Sequence, residues 1–139
     1  MRTLAIIFTT IALVSCSKAP IPRTEPQNAR IDSVVQFLLT SAATDFHTHG
    51  PSPNLRFRDV YVRHVISSRE DEQYMLCGQF LSEKEGNTGE WTPFTTIKTS
   101  GYEQWLGAQA VGFCQNASVI PENEGDLSSL LQSRFDSLK

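Results

Sequence analysis

The side chains with the most obvious potential for chemistry lie in the stretch DFHTH. If this segment is extended, Asp45, His47 and His49 point to the same side, because side chains alternate along a strand. Carboxylate and imidazole groups bind zinc, and His64 could complete such a set. However, the glycine and two prolines of HTHGPSPN, residues 47–54, indicate a polar loop. We favour the loop over a metal site and expect no metal and no other cofactor.

Motifs of enzymatic catalysis are missing from the sequence. Neither G-x-S-x-G nor H-E-x-x-H occurs. Cys77 is the best candidate thiol nucleophile, but it is better explained as half of a disulfide. Glu83, Glu85 and Glu90 flank a predicted turn and are typical of a solvated rim. We therefore expect no catalytic residue and no enzymatic activity.

Four arginines, at positions 56, 58, 63 and 69, form the main basic cluster. If residues 56–66 are a strand, Arg56 and Arg58 share one face, and Phe57 and Tyr61 lie on the other. Such a basic and polar surface could meet anionic lipid or glycan groups. We prefer a simpler interpretation, in which these are solvated charges balanced by nearby acidic residues.

The first 15 residues have the layout of a secretory signal peptide. Arg2 provides the positive charge, an apolar run extends from Leu4 to Val14, and the small residue Ser15 follows. The apolar run has 11 residues, whereas a helix that crosses a bilayer needs about 20. We therefore predict a signal peptide at residues 1–15 and no transmembrane helix in the mature protein.

The segment Leu13-Val14-Ser15-Cys16 resembles the lipobox of bacterial lipoproteins. The resemblance implies that the Cys16 sulfur receives a diacylglyceryl group and that the signal is cut just before Cys16. The new amino terminus is then acylated, typically by a chain such as palmitate. Burial of each methylene contributes about 0.8 kcal/mol, and stable anchoring needs more than one chain. We expect Cys16 to hold the protein to a membrane; an ordinary cleavage site beside a chance cysteine is the alternative.

The mature chain is predicted to consist of a lipidated tether, residues 16–30, and a single domain, residues 31–139. Three prolines bias the tether toward extended geometry. In similar lipoproteins an aspartate after the lipidated cysteine favours the inner membrane, and here Ser17 and Lys18 follow. We therefore expect the outer membrane, with the protein facing the periplasm.

The charge balance gives no indication of nucleic-acid binding. The chain has 12 basic and 15 acidic residues, and loss of Arg2 with the signal leaves 11 and 15, a net charge of −4 with neutral histidines. A nucleic-acid-binding protein would be expected to show a basic face. We expect the partners to be the membrane, through Cys16, and another envelope protein.

The other two cysteines are candidates for a disulfide, because disulfides persist in the bacterial periplasm. Once Cys16 is lipidated, Cys77 and Cys114 remain and allow only one pairing. Closing that loop should stabilise the fold by on the order of 4 kcal/mol. Two separate buried thiols are the alternative.

Amphipathic helices are predicted near both ends of the mature chain. The first has the helical apolar spacing Ile31, Val34, Val35, Leu38 and Leu39. Thr24 and Gln27 form a candidate capping box at its start, and it should end near Ala43. The second has the stripe Leu127, Leu130, Leu131, Phe135 and Leu138. Asp126 can cap it, and its apolar face must lie on the domain or on a partner.

Strands are predicted between these helices. Residues 56–66 and 73–81 are rich in aromatic and large apolar residues and predict a hairpin around the polar SSREDE. Residues 90–98 predict a third strand, with Pro93 at a sheet edge or at the strand's beginning. Residues 102–114 are ambiguous, because alanine and glutamine favour a helix and two glycines weaken it; we predict a helix.

The mature domain resembles a widespread group of small bacterial exported proteins and lipoproteins of uncharacterised activity. The matching positions are Phe57, Arg58, Val60, Cys77, Gly78, Gly89, Pro93, Phe94, Trp105 and Cys114. The resemblance covers roughly residues 31–116. Two departures are QFLSEKEGN, where the group often has asparagine and lysine, and PSP, which only loosely matches an Asp-Pro turn. The resemblance implies no enzymatic activity and supports the Cys77 to Cys114 pairing.

Together these features predict an α+β protein with a small antiparallel sheet of three or more strands, packed by N- and C-terminal helices and stapled by one disulfide. The expected role is a non-catalytic structural or accessory one, within a secretion, conjugation or stress-related assembly. An inhibitor or ligand-binding module directed at a cell-wall enzyme or glycan is the second hypothesis. A hydrolase or metal enzyme using His47, His49 and His64 is the third and weakest.

Overall fold

The computed structural model describes residues 25–69, 71–84 and 87–139. The predicted signal peptide, Cys16 and the tether up to residue 24 lie outside the described residues. The helices and strands, in chain order, are α1 (Glu25–His49), β1 (Leu55–Ile66), β2 (Glu72–Lys84), β3 (Asn87–Thr88), β4 (Thr92–Lys98), β5 (Tyr102–Leu106), α2 (Ala108–Gln115), β6 (Ser118–Val119) and α3 (Ser128–Asp136).

The predicted N-terminal helix is confirmed, but α1 extends past its expected end. It begins at Glu25, within the predicted tether, and continues beyond Ala43 because Phe46 extends its buried stripe. The Gly50 N–H donates to the Phe46 carbonyl at 3.0 Å, and a Cβ at Gly50 would lie 2.2 Å from that oxygen. The helix therefore ends at a position that only glycine fits. Of the predicted capping box, Thr24 lies outside the described residues.

The sheet confirms the predicted α+β class. Its strand order is β5-β4-β2-β1-β6, and the short β3 pairs with β2. All of these pairings are antiparallel. The strands expected at 56–66, 73–81 and 90–98 correspond to β1, β2 and β4. Pro93 lies at the beginning of β4, opposite Gln79 of β2, so it occupies an interior strand rather than an edge.

The helix predicted over residues 102–114 is wrong in its first half. Residues Tyr102–Leu106 form β5, which pairs with β4 from Lys98 to Phe94. Gly107 then adopts a positive φ of 68°, a conformation that glycine reaches without steric cost. The chain turns there and begins α2 at Ala108. Pairing with β4 therefore overrides the helical preference of the sequence.

The main core lies between one face of the sheet, here called the first face, and the helices α1 and α3. Its centre is Phe46, whose ring centroid is 5.0–5.1 Å from those of Phe57, Phe80 and Phe94. Gly78 permits this packing, because a Cβ there would lie 2.8 Å from side-chain atoms of both Phe94 and Val60. The opposite, second face carries a smaller cluster formed by Met75, Cys77, Ile97 and Ala117, against which Trp105 and Cys114 pack.

A β-bulge interrupts β1. The β1–β2 register shifts between Arg58, opposite Gln79, and Tyr61, opposite Cys77. Asp59 in this bulge has φ 54°, the only positive φ of a non-glycine residue among the described positions. Because Gln79 and Cys77 are two residues apart, Arg58 and Tyr61 lie on the same face of the sheet. The expectation that Tyr61 faces away from the arginines is therefore wrong, since simple alternation fails at a bulge.

The edge of β1 that faces away from β2 is completed by the C-terminal part of the chain. The Gln132 side chain accepts a hydrogen bond from the Phe57 N–H at 3.2 Å and donates one to the Leu55 carbonyl at 3.0 Å. At the bulge, the Val60 N–H donates to Asp126 Oδ1 and Ser128 Oγ at 3.3 and 3.2 Å. Farther along, β6 pairs with β1 at Arg63 and His64. Paired edge groups are less available to other chains.

The C-terminal amphipathic helix packs on its own domain. Leu131 and Phe135 are buried in the main core, whereas Leu130 and Leu138 are exposed. The prediction that Asp126 occupies the N-cap is wrong by one residue, although its carboxylate does bind the first turn. Asp126 Oδ1 accepts the Ser128 N–H at 2.8 Å and the Ser128 hydroxyl, while the residue directly before the helix is Leu127.

Asp126 should make stability depend on pH in the acid range. Desolvation by burial raises the pKa of Asp126, but hydrogen bonds from the Ser128 hydroxyl and from the backbone N–H groups of Ser128 and Val60 outweigh it and leave the pKa below its ordinary value. A carboxylate with a lowered pKa stabilises the fold above its unfolded pKa of about 3.9, and this contribution is lost as pH falls through the folded pKa.

We predict that Asp126→Asn lowers the free energy of unfolding by about 1 kcal/mol at pH 7. The difference from the natural chain should shrink as the pH is lowered below about 4, because the natural carboxylate then also becomes neutral. Urea unfolding between pH 2.5 and 7 measures both quantities. Asp32→Asn, on the exposed side of α1, is the matched control. A difference that stays constant over this range would contradict the assignment.

Candidate functional site

The residues considered as metal ligands are not brought together, because DFHTH is the end of α1 and is not extended. Asp45 and His49 are one helical turn apart, with Nδ1 and Oδ1 at 3.3 Å. The ring of His47 instead faces that of Phe135, at a centroid distance of 6.4 Å. His64 lies in β1 and stacks on Tyr74. Within the described residues, no group of three or more potential metal ligands occurs.

Asp45 has a structural contact with β5. Its Oδ1 accepts a hydrogen bond from the Tyr102 hydroxyl at 3.1 Å. Burial, together with the Asp45 charge and this hydrogen bond, raises the pKa of Tyr102. Tyr102 is therefore a neutral hydrogen-bond donor at physiological pH and joins α1 to the edge strand of the sheet.

The predicted disulfide between Cys77 and Cys114 is present, with an S–S distance of 2.03 Å and a Cα–Cα distance of 6.1 Å. Cys77 projects from β2 into the small cluster on the second face, and Cys114 lies in the last turn of α2. Gly78, the next residue, faces the main core. The two adjacent residues therefore act on opposite faces of the sheet. Cys77 holds α2 on the second face through the disulfide, and Gly78 allows close packing on the first face.

A cleft of about 370 Å³ opens between α2 and the second face. Tyr61 and Arg63 of β1, the disulfide and Val111 of α2 line it. Arg63 Nη1 donates to the Ala117 carbonyl at 3.2 Å, so this arginine holds the segment that follows α2. Arg63 therefore has a structural contact that the sequence did not indicate.

Arg58 is fixed on the part of the second face that α2 leaves uncovered. Its Nε and Nη2 donate to Gln79 Oε1 at 2.9 and 2.7 Å. The guanidinium carbon lies 4.2 Å from the ring centroid of Trp91, a cation–π geometry. Asp59 is close, with Nε and Oδ2 at 3.4 Å. These contacts hold Arg58 and Trp91 in defined positions on an exposed surface.

Trp91 also borders a groove of about 870 Å³ that runs between α3 and the rim of the sheet. We call it the α3 groove. It is lined by Asn54, Leu55, Arg56, Phe57, Glu83, Trp91, Ser128, Ser129, Gln132, Ser133, Asp136 and Lys139. Most of these residues are polar, and Trp91 is the largest aromatic side chain among them.

The charged side chains of the α3 groove pair with one another. Arg56 Nη1 is 3.4 Å from Glu83 Oε1, and Lys139 Nζ is 2.7 Å from Asp136 Oδ1. The hydrogen bond from Lys139 lowers the pKa of Asp136; slight burial opposes this, and a hydrogen bond from Gln132 adds to it. The α3 groove therefore combines two ion pairs with no excess of either sign.

A second surface is formed by a segment without charged residues. The segment from Gln104 to Pro121 contains no Asp, Glu, Lys or Arg. It forms the end of β5, all of α2 and β6. Phe113 of α2 is exposed; Leu106 of β5 is also exposed, but it pairs with Phe94 and so lies on the first face. The ring centroids of Trp105 and Phe113 are 5.8 Å apart. We call the surface formed by Trp105 and Phe113, on the second face, the apolar patch.

Comparison with protein-family models, with curated proteins and with solved structures found no match. The resemblance to small bacterial exported proteins therefore stays a prediction. Within the described residues, no helix is both long and apolar enough to cross a bilayer.

Sequence reasoning found Arg58 but missed its partners. Gln79 is 21 residues away in sequence, on the neighbouring strand, and Trp91 lies just before β4. Knowledge of the bulge in β1 would have been needed to place them together. The missing charge from Gln104 to Pro121 is visible in the sequence and would have indicated the apolar patch.

Removing the disulfide should destabilise the fold substantially. Cys77 and Cys114 are 37 residues apart in sequence, and closing such a loop stabilises by about 4 kcal/mol in the chain-entropy model. We expect Cys77→Ala/Cys114→Ala to lower the free energy of unfolding by about 2–4 kcal/mol in chemical denaturation. The natural pair without reductant is the control. A loss below about 1 kcal/mol would mean that α2 is held mainly by packing.

Proposed function

We propose that this chain is a lipid-anchored cell-envelope protein whose domain has a non-catalytic, accessory binding role. Lipid on Cys16 would place it at the outer membrane, facing the periplasm. Its protein partner would belong to a secretion, conjugation or stress-related assembly. The observation that supports the binding role is the apolar patch, where Trp105 and the exposed Phe113 lie together in a segment without charged residues.

The tether would keep the domain close to the membrane. Eight residues lie between Cys16 and Glu25, where α1 begins, so nine Cα–Cα steps join the two. At about 3.3–3.6 Å per extended residue, they span at most roughly 30 Å. A partner that meets the domain would therefore itself be at or near the membrane surface.

The apolar patch has the composition of a protein interface. Interface centres are depleted in charged residues and enriched in aromatic ones, and a contiguous exposed apolar surface commonly marks an interaction site. Phe113 is 39% exposed, although it lies beside the Trp105 ring. Burying both side chains against a partner would gain free energy. The neighbouring Glu103 carboxylate accepts a hydrogen bond from Trp105 Nε1 at 3.3 Å.

A ligand-binding module directed at a cell-wall enzyme or a glycan is the second candidate function. It is favoured by Arg58 and Trp91, because both are partly exposed and fixed. Gln79 holds Arg58, and Arg58 in turn lies over the Trp91 ring. Side chains fixed before binding lose less conformational entropy on binding.

The lipid anchor can be tested by fractionation of cells that express the natural chain or Cys16→Ser. We expect the natural chain in the outer-membrane fraction, released only by detergent, with a mass increase equal to the attached acyl groups. Cys16→Ser should lose both properties. A natural chain that is soluble and carries no lipid would disprove the anchor.

The partner surface can be tested by placing a photo-cross-linking phenylalanine analogue at Phe113 in living cells. The matched control is the same analogue at Leu130, which is similarly exposed, at 41% against 39%, but lies on α3. We expect a discrete adduct from Phe113 that is absent from Leu130. No adduct at Phe113, or identical adducts from both positions, would contradict the proposal.

A further inference from the structure

We infer that the α3 groove binds an uncharged oligosaccharide, with Trp91 as the surface on which a sugar ring stacks. This inference deepens the second candidate function and rests on it, because it names the ligand class and the site. It is independent of the apolar patch.

The first argument for this site is the position of Trp91. Arg58 lies over its ring at 4.2 Å and does not line the α3 groove, whereas Trp91 does. The cation therefore supports the indole from outside the groove and restricts its rotation. Trp91 presents aromatic surface inside the groove, and an indole combines such an apolar surface with a polar N–H. A pyranose ring matches this chemistry, since its C–H groups form an apolar face and its hydroxyls a polar rim.

The second argument is the pattern of charges in the α3 groove. Each of the two cations in the groove has an acidic partner there, Arg56 with Glu83 and Lys139 with Asp136. An anionic ligand would have to displace these carboxylates, and a cationic ligand would have to displace Arg56 or Lys139. The α3 groove therefore has no excess of positive or negative charge. Binding would depend on hydrogen bonds, which favours an uncharged ligand.

The third argument is the set of hydrogen-bonding side chains in the α3 groove. Ser129 and Ser133 project from the exposed part of α3, and Asn54 precedes β1 on the opposite side. Hydroxyl and amide groups both donate and accept hydrogen bonds, as sugar hydroxyls do. The guanidinium of Arg56 and the carboxylate of Glu83 add planar groups that can contact two neighbouring hydroxyls at once.

The size of the groove indicates an oligosaccharide rather than a monosaccharide. Its volume of about 870 Å³ lies in the upper part of the range of roughly 300–1,000 Å³ that is usual for small-molecule sites. The groove is open along α3, so a chain of several sugars can lie in it with its ends in solvent.

The test uses the full mature chain with Cys16→Ser, so that no lipid interferes. Maltotetraose, cellotetraose and a tetramer of N-acetylglucosamine are the uncharged probes, and a sulfated tetrasaccharide is the anionic one. Calorimetric titration measures affinity, and tryptophan fluorescence reports on the indole. Trp91→Ala is the test variant, and Trp105→Ala, on the apolar patch, is the matched control. Thermal unfolding verifies that both variants are folded.

We expect at least one uncharged tetrasaccharide to bind with a Kd at or below about 1 mM. Trp91→Ala should weaken this binding by about tenfold or more, Trp91→Phe should retain part of it, and Trp105→Ala should change it less than about twofold. Raising the salt concentration to 0.5 M should leave the affinity unchanged, because no net charge is involved.

Three results would overturn the inference: no binding of any uncharged probe at 10 mM, equal binding by Trp91→Ala and the natural chain, or preferential binding of the sulfated probe that salt abolishes. The proposed anchoring and protein partnership fail on different measurements, namely the fractionation of Cys16→Ser and the cross-linking at Phe113. A failure of either proposal is thus distinguishable from a failure of the other.

Discussion

The outer edge of β1 imposes the main constraint on this fold. A strand at the side of a sheet leaves N–H and C=O groups that must find partners when they are buried, because an unpaired buried group costs about 1–3 kcal/mol. Here the side chain of Gln132 pairs with both Phe57 and Leu55 in the way that a neighbouring strand would. Asp126 and Ser128 do the same at Val60. The C-terminal helix is therefore both a cover for the core and a substitute for a missing strand.

The bulge in β1 links this edge to the exposed second face. It frees the Val60 N–H from the β1–β2 ladder, so that the segment before α3 can bind it. It also changes the alternation of side chains, which places Arg58, Tyr61 and Arg63 on one face. Asp59 adopts its positive φ there, which costs roughly 1 kcal/mol for a residue other than glycine. The hydrogen bonds to Asp126 and Ser128 offset this cost. The bulge thus places Arg58 on the second face and also makes the Val60 N–H available at the edge of β1.

The sequence predicts both amphipathic helices correctly. It fails where secondary structure depends on pairing with a strand that is distant in sequence. The apolar spacing of Ile31 to Leu39 and of Leu127 to Phe135 is strong enough to locate both helices. The stretch from Tyr102 to Leu106 carries no such pattern, and its strand exists because β4 offers an unpaired edge. The disulfide could be inferred because only two cysteines remain once Cys16 is assigned to lipid.

The candidate site was less predictable than the fold. Arginines at 56 and 58 are visible as a basic pair, yet their environment depends on residues from three other segments. Gln79 comes from β2, Trp91 from the loop before β4, and Asp136 from the end of α3. Their proximity follows from the bulge and from the docking of α3, neither of which has a local sequence signal.

Native-state hydrogen exchange of the Phe57 and Val60 amides tests the docking of α3 most directly. We predict that both are as strongly protected as the Leu76 amide in the interior strand β2, and that Gln132→Leu selectively weakens protection at Phe57. Exchange of both amides at the rate of an unstructured chain, with Leu76 still protected, would contradict the account.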